Sequence, residues 1–333
     1  MKNHTYKTWV WVVIAVAGIL AGCQSSAGEV NEQNDRGDAP VQVNIALNGK
    51  LSPLFLAQQK GWFEEEFEDF NVEVAWSEFP SGPPLLESLA SNRVDLSLLG
   101  DGALIAGIDK QLPFEVIAQT SDGGANSRIL VQKDGNIKKL DDLKGKTVGV
   151  ASGTTAHVYL IKALKTSGLT TDDVKMINLQ PDDGQAAFES KKLDAWVIWN
   201  PYYLHNVEKG TASVIEVDEN ILAPGAIIAR TGFAEEHPKL VETYVKVYQK
   251  AADWQIHHPD EAAELYAKET NMPKETIKKM ITADQPNLFF TEESINAQQE
   301  SINTLADVGY IKESFRFKEH IHNEYLDAAV KEP

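Results

Sequence analysis

From residue 41 onward the chain alternates two hydrophobic spacings. Val41, Val43, Ile45 and Leu47 are separated by Gln42, Asn44 and Ala46, the every-second-residue pattern of a strand. Asn48-Gly49 is a turn pair. Ser52-Pro53 then opens a helix that Gly61 closes, with Ser at the cap and Pro at the first helical position. Residues 72–76 read as a second strand. The Phe79-Pro80-Ser81-Gly82-Pro83-Pro84 stretch leads into a helix with Leu85, Leu86 and Leu89 on one side. Residues 94–99 form a third strand, Gly100-Asp101 starts a short helix, and residues 114–119 form a fourth strand. Strands alternating with helices through short loops predict an α/β architecture with mainly parallel pairing.

The pattern then restarts. Residues 128–131 are extended, 141–145 turn, and 147–150 read as a short buried strand. Ser152-Gly153-Thr154-Thr155 follows, and a helix runs from near Thr155 to Gly168. Further strands are predicted at 174–179, 193–199, 214–217 and 227–230. Pro181-Asp182-Asp183 and Asn200-Pro201 mark helix starts between them. From about Pro238 the period is helical. Leu240, Val241, Tyr244, Val245 and Tyr248 share one apolar face, and Pro259 and Pro273 mark new starts. This tail has no strong strand signal and is expected to pack on the first lobe.

Two strand-and-helix runs predict two lobes. Residues 41–122 with 226–333 make lobe 1 and residues 123–225 make lobe 2, joined by two crossings. Residues 1–22 read differently. Lys2 and Lys7 precede an apolar run of about a dozen residues, too short for a membrane span. The run ends Leu20-Ala21-Gly22-Cys23, which resembles a bacterial lipoprotein signal whose Cys is lipidated. Cys23 is the only cysteine, so neither an intrachain disulfide nor a Cys-ligated metal site is available. Residues 23–40 are polar and aperiodic, a flexible tether. The formal charge is −18, which argues against a nucleic-acid partner.

Ligands in open α/β sheets bind beyond the carboxyl ends of strands. The loops there at Ser52-Pro53, Ser81-Gly82-Pro83, Gly100-Asp101, Ser152-Gly153-Thr154, Asp182-Asp183 and Asn200-Pro201 each offer a helix start. Unpaired N–H groups and the helix dipole make such starts sites for a small anion. Ser152 and Thr154 can cap the helix at Thr155, and Gly153 lets backbone approach a ligand. No Gly-Lys-Ser/Thr follows, so this is not a P-loop. His157, one turn on, is either an anion donor or a packed side chain. Asp101 either pairs with a ligand amine or caps the helix at Gly102, and Asp183 has the same two readings. Trp196 and Trp199 face opposite sides of a strand; one belongs in the core, and Trp199 suits a cleft wall. Asn200 can cap and still reach a ligand. Arg128 can supply a positive charge or bridge the lobes. The histidines are scattered, without metal-binding spacing, and no Ser-His-Asp, zinc-helix or Walker set appears.

Four segments carry a family resemblance. They are Trp76-Ser-Glu-Phe-Pro-Ser-Gly-Pro-Pro-Leu-Leu-Glu-Ser-Leu89, Val94-Asp-Leu-Ser-Leu-Leu-Gly-Asp101, Leu143-Lys-Gly-Lys-Thr-Val-Gly-Val150 with Ser152-Gly153-Thr154, and Leu193-Asp-Ala-Trp-Val-Ile-Trp-Asn-Pro-Tyr-Tyr203. The chain resembles the substrate-binding proteins of ABC importers, in the aliphatic sulfonate, taurine and nitrate group. The resemblance implies a two-lobe periplasmic-binding fold, type II-like, that closes on its ligand without chemistry. It also implies a permease and an ATPase as partners, no cofactor, and an extracytoplasmic place, anchored to the membrane by lipid. Ser81, Gly82, Thr154 and Thr155 gain ligand-contact roles from it; Asn48, Ser52 and Thr120 complete the candidate set. The loop Asn48-Gly-Lys-Leu-Ser-Pro53 departs from the sulfonate pattern and bears on which ligand is taken. The expected ligand is a small anionic organosulfonate. Nitrate or a thiamine pyrimidine precursor is the alternative for the same receptor, and a thiamine-pyrimidine synthase is the enzyme alternative.

Overall fold

The computed structural model describes residues 39–124 and 126–331. The signal segment, Cys23 and nearly all of the tether lie outside the described residues. The alternating pattern becomes β1, Val41–Asn48. Helix α1, Pro53–Lys60, ends at Gly61 with a left-handed φ of 70°, the usual helix stop. A short helix that the period did not announce, α2 at Trp62–Glu66, follows. Then come β2 Val72–Phe79, α3 Gly82–Ala90, β3 Leu96–Leu99, α4 Asp101–Asp109 and β4 Phe114–Ser121. The second run is β5 Ser127–Gln132, β6 Thr147–Val150, α5 Thr155–Thr166, β7 Lys175–Asn178, α6 Pro181–Glu189, β8 Ala195–Trp199, α7 Tyr202–Glu208 and β9 Ala212–Ile215. Strand β10, Gly225–Arg230, precedes the helices α8 Thr231–Glu236, α9 Pro238–His257, α10 Pro259–Thr270, α11 Lys274–Ala283, α12 Glu292–Asp307 and α13 Glu324–Lys331.

The strands form two sheets with the same plan, β2-β1-β3-β10-β4 and β7-β6-β8-β5-β9. In each, three strands pair in parallel, as β-α-β connections require. The exceptions to the parallel expectation are β10 and β5, each antiparallel to both neighbours. Each arrives from the other sheet, so it enters from the opposite end. The crossings run side by side, with Ala223 N–H donating to Gly123 O at 3.2 Å. Gly123 has φ 72°, and a Cβ there would lie 2.0 Å from Ala223 O. Only glycine lets these two backbones meet.

The tail completes the first core. Phe63 and the β1 residues Val43, Ile45 and Leu47 pack with Tyr244 and Tyr248 of α9 and Tyr266 of α10. The other face of that sheet carries Leu85, Leu104 and Ile105, joined by Ile302 and Leu305 of α12. Val158 and Ile161 of α5 belong to the same cluster, so α12 touches lobe 2 as well as lobe 1. Around the second sheet, Ile129, Val148 and Leu160 fill one core. Phe188, Trp196 and Ile198 fill the other. Trp196, as expected of one of the two tryptophans, is fully buried. Gly184 of α6 lies flat on its indole, where a Cβ would come within 2.5 Å of Nε1.

Candidate functional site

A cleft of about 1160 Å³ opens between the sheets. Asn48, Ser52, Ser81, Gly82, Thr120, Thr154, Thr155, Trp199 and Asn200 line it. They come from the ends of β1, β4 and β8 and the starts of α1, α3 and α5, the placement that strand-end loops predict. The N–H groups of Leu54, Gly82, Thr155 and Ala156 stand in first helical turns, where no intrahelical acceptor exists. Pro83 and Pro84 donate nothing, so α3 contributes few N–H groups.

The hydroxyls at these helix starts do not cap them. Ser52, Ser81 and Thr154 are the N-cap residues of α1, α3 and α5, and none makes a side-chain cap bond. Thr154 Oγ1 donates back to Ala151 O at 2.6 Å. Ser81 Oγ donates to Gln180 Oε1 at 2.8 Å, a bond across the lobes. The Thr155 hydroxyl lies near the Asp101 carboxylate and opposes the upward pKa shift that burial causes there. A hydroxyl has a single proton to give, so those of Thr154 and Ser81 are spoken for. Ser52 Oγ is different: it is buried and has no partner among the described residues. Asn200 Oδ1 is likewise buried without a partner, while its Nδ2 lies 3.4 Å from Tyr203 Oη. Helix α7 begins at Tyr202 with Pro201 at its cap, so Asn200 does not cap it.

The structure places five other candidates off the cleft wall. Asp101 is fully buried behind it, with Gly102 N donating to Oδ1 at 2.8 Å and Ser301 Oγ 3.4 Å from Oδ2. His157 is also buried. Its Nδ1 accepts from Gly153 N at 3.3 Å, and its ring stands edge-on to Tyr310 at 4.8 Å. Burial pushes its pKa down to about 4, so it is a neutral packed side chain at neutral pH. Gly153 admits Tyr310 rather than a ligand, since a Cβ there would lie 2.4 Å from the phenol oxygen. Ser152 N donates to Asn178 Oδ1 at 3.0 Å. Asp183 is exposed on α6, while its neighbour Asp182 lines the cleft and accepts from Tyr202 Oη at 3.2 Å. Burial and that carboxylate push the Tyr202 phenol up to about 12.

Several cleft residues were not foreseen. Gln185, Tyr202, Tyr203 and His205 extend the lobe-2 wall, and Tyr248, Met272, Thr276 and Asp284 come from the helical tail. Thr276 Oγ1 bonds Glu208 Oε1 across the mouth. Lys50 is held by Glu78 at 3.1 Å and Glu269 at 2.6 Å. Arg128 is not on the wall; its guanidinium donates to Ser127 O and lies 5.7 Å from the Tyr203 ring centre. Away from the cleft, Glu115, His322 and Glu324 bring potential metal-ligating atoms within 4.8 Å of one another. Two of these are acidic groups near the surface, and nothing further marks them as a site.

The chain is 35% identical over 324 residues, 96% of each chain, to a protein of Bacillus subtilis (strain 168) that bears the name of an aliphatic sulfonates-binding protein. It is 31% identical to the taurine-binding periplasmic protein of Escherichia coli (strain K12) over 225 residues, 66% of this chain and 68% of that one. Among solved structures, the alkanesulfonate-binding protein SsuA of Xanthomonas axonopodis pv. citri, bound to MOPS, superposes with a TM-score of 0.77. At 23% identity, covering 85% of this chain and 99% of that one, it supports the two-lobe fold. The NMT1/THI5-like family model matches residues 48–262, and the chain belongs to that family.

Proposed function

We propose that the chain is an extracytoplasmic receptor of an ABC importer that captures a small organosulfonate and passes it on unchanged. The observation that carries this reading is the convergence of the α1, α3 and α5 starts on one interlobe cleft. Their free N–H groups and the unpartnered Ser52 hydroxyl suit a tetrahedral or planar anion. The sulfonate would sit at Ser52, Gly82 and the first turn of α5, with the organic part against Trp199, Tyr202 and Tyr203. Residues 41–122 with 226–333 form one moving body and 123–225 the other, with the paired crossings at Gly123 and Ala223 as the hinge. A permease and an ATPase are the partners, met at the membrane.

Titrating the protein's tryptophan fluorescence with ethanesulfonate, longer alkanesulfonates and taurine tests this. A saturable change is expected, because Trp199 lines the cleft. The side chains are expected to rank. Ser52→Ala removes an uncommitted donor to a charged acceptor, worth about 1.5–3 kcal/mol, roughly tenfold or more in Kd. Ser81→Ala removes a hydroxyl already given to Gln180 and is expected to change Kd less than about threefold. No saturable response to any sulfonate at millimolar concentration would overturn the ligand class.

The anchor is a separate part of the proposal. Leu20-Ala21-Gly22-Cys23 supports cleavage before Cys23 and lipid attachment to its sulfur. Mass spectrometry of protein purified from membranes is expected to show a chain beginning at diacylated Cys23. A mature chain that keeps Met1 unmodified would rule the anchor out.

A further inference from the structure

The two sheets share one plan, yet their ends away from the cleft differ in charge. In the second sheet every strand meets a lysine at that end. Lys175 opens β7, Lys146 precedes β6, Lys191 and Lys192 precede β8, Lys209 precedes β9, and Lys133 follows the antiparallel β5. Lys175 N donates to Lys146 O at 2.8 Å and Lys133 N to Thr211 O at 3.3 Å, so adjacent strands set these lysines side by side. At about 4.8 Å per strand the rim is about 19 Å long.

Little neutralises it. Lys139 pairs with Asp141 at 2.9 Å and Lys144 with Asp173 at 3.1 Å. Asp142 accepts from Lys138 N and Lys139 N, and Asp194 from Thr147 N. Asp134 and Asp172 are the remaining carboxylates of these loops, while Glu189 and Glu208 on nearby helix ends line the cleft. The six rim lysines form no ion pair among the described residues. All but the half-buried Lys146 are exposed.

The fold does not impose this rim. The matching end of the first sheet has Glu68 and Asp69 before β2 and Glu115 in β4, with Arg93 and Lys110 as exposed cations, and its Arg230 is given to Asp95. Residues 123–225 hold 12 Lys and Arg against 13 Asp and Glu, whereas residues 41–122 with 226–333 hold 16 against 32. Lys191 has φ 57°, where Asn92 stands in the first lobe at φ 56°. Such a left-handed position favours Gly or Asn, so the turn does not account for a lysine there. Beside the rim, β7 is an edge strand with all four residues exposed. Met176 is 39% and Ile177 41% exposed, so both faces of the strand present a large apolar side chain next to Lys175. Lysines flanking exposed apolar groups suit the headgroup layer of a bilayer better than a soluble polyanion.

We infer that this rim docks the protein on an anionic phospholipid surface, with its lysines on headgroup phosphates and Met176 and Ile177 at the headgroup boundary. The inference rests on the reading of the chain as a receptor held at a membrane. The acidity of lobe 1 does not oppose it. Helix α5 runs from the cleft to the rim, 12 residues or about 18 Å. That exceeds the Debye length of about 10 Å at about 0.1 M salt, so the first sheet is screened from the surface. Docked this way, the cleft end of lobe 2 points away from the lipid.

Residues 40–333 form one compact unit, so the test uses a chain beginning at Pro40, with neither signal nor lipid. It is sedimented with vesicles of phosphatidylcholine alone or mixed with phosphatidylglycerol. Binding is expected with the anionic vesicles and not the neutral ones, and is expected to be lost at about 1 M salt, where the Debye length is about 3 Å. Each lysine at such a surface contributes roughly fivefold. Lys175→Glu/Lys191→Glu/Lys192→Glu is therefore expected to weaken binding at least about tenfold. Lys246→Glu/Lys268→Glu/Lys318→Glu, at exposed positions of lobe 1, changes net charge equally and is expected to shift it less than about threefold. Melting temperature controls for folding, and Gln at the same three rim positions carries the test should the reversals unfold the protein. No binding to anionic vesicles overturns the docking surface and leaves the cleft and the Cys23 anchor standing. A lobe 1 triple that loses as much as the rim triple overturns it too. So does binding to long-chain inorganic polyphosphate without binding to vesicles, which would assign the rim to a soluble polyanion.

Discussion

Arg230→Met is expected to destabilise the protein by about 3–5 kcal/mol, the cost of leaving one member of a buried ion pair alone. Asp95 is 2% exposed, and its Oδ1 accepts from Arg230 Nε at 2.9 Å and Nη2 at 2.6 Å. Oδ2 accepts from Asn44 N at 2.9 Å and Asn44 Nδ2 at 2.8 Å. One carboxylate thus ties β1 to the segment before β3 and to the end of β10. Backbone bonds repeat the ties, Asp95 N to Asn44 O and Arg230 N to Asp95 O. Met fills the space of the Arg stem but supplies no donors, so Asp95 keeps its charge with half its partners. A protein of this size should lose about 5–8 °C in melting temperature. The double variant Asp95→Leu/Arg230→Met should fall by less than the sum of the single losses, because no orphaned charge remains. A single variant melting within about 2 °C of wild type would show that the pair is dispensable. The consequence reaches the cleft, since β3 delivers Gly100 and β10 begins at Gly225, both on its wall.

What could be read from sequence was what is local. The alternation at Val41, Val43, Ile45 and Leu47 gives β1 almost to the residue, because Val43, Ile45 and Leu47 are buried on one face while Gln42 and Asn44 on the other stay partly exposed, so period two follows directly. Ser52-Pro53 and Gly61 bound α1 for equally local reasons. The helix starts that converge on the cleft were legible too. Which protons they leave free was not. Thr154 looks like a cap, yet its hydroxyl goes to Ala151 O. Ser81 gives its proton to Gln180, on the other lobe, and nothing at Ser81 announces a partner that distant. Gly153 looked like a place for a ligand, but Tyr310 occupies it, delivered by the turn after α12. The tail was legible as helices packing on lobe 1. Its supply of Tyr248, Met272, Thr276 and Asp284 to the cleft was not, because an apolar period shows which face is buried and not what its edge residues border.

The contact of Gly102 in α4 with the Thr154 backbone sets the spacing between the two lobes' helix starts. Gly102→Ala is expected to weaken sulfonate binding by about tenfold or more and to cost about 1–3 kcal/mol of stability, the usual range for forced overpacking. A Cβ at position 102 would lie 2.5 Å from Thr154 O and 2.6 Å from Thr154 C. Both are backbone atoms, so no rotamer relieves the overlap and α4 and α5 must part. Parting them moves the Thr155 and Ala156 N–H groups away from the donors on α1 and α3. A site whose donors are displaced by an ångström loses most of its grip. Gly100→Ala is the matched comparison. Its Cβ would meet Thr155 Oγ1 at 2.2 Å, a side-chain atom that can rotate away. Its stability loss is therefore expected to be smaller. Calorimetric melting and fluorescence titration of the two variants side by side measure the difference. If Gly102→Ala binds ethanesulfonate as wild type does, then the α4–α5 contact does not hold the anion donors in place, and the cleft must be organised from α1 and α3 alone.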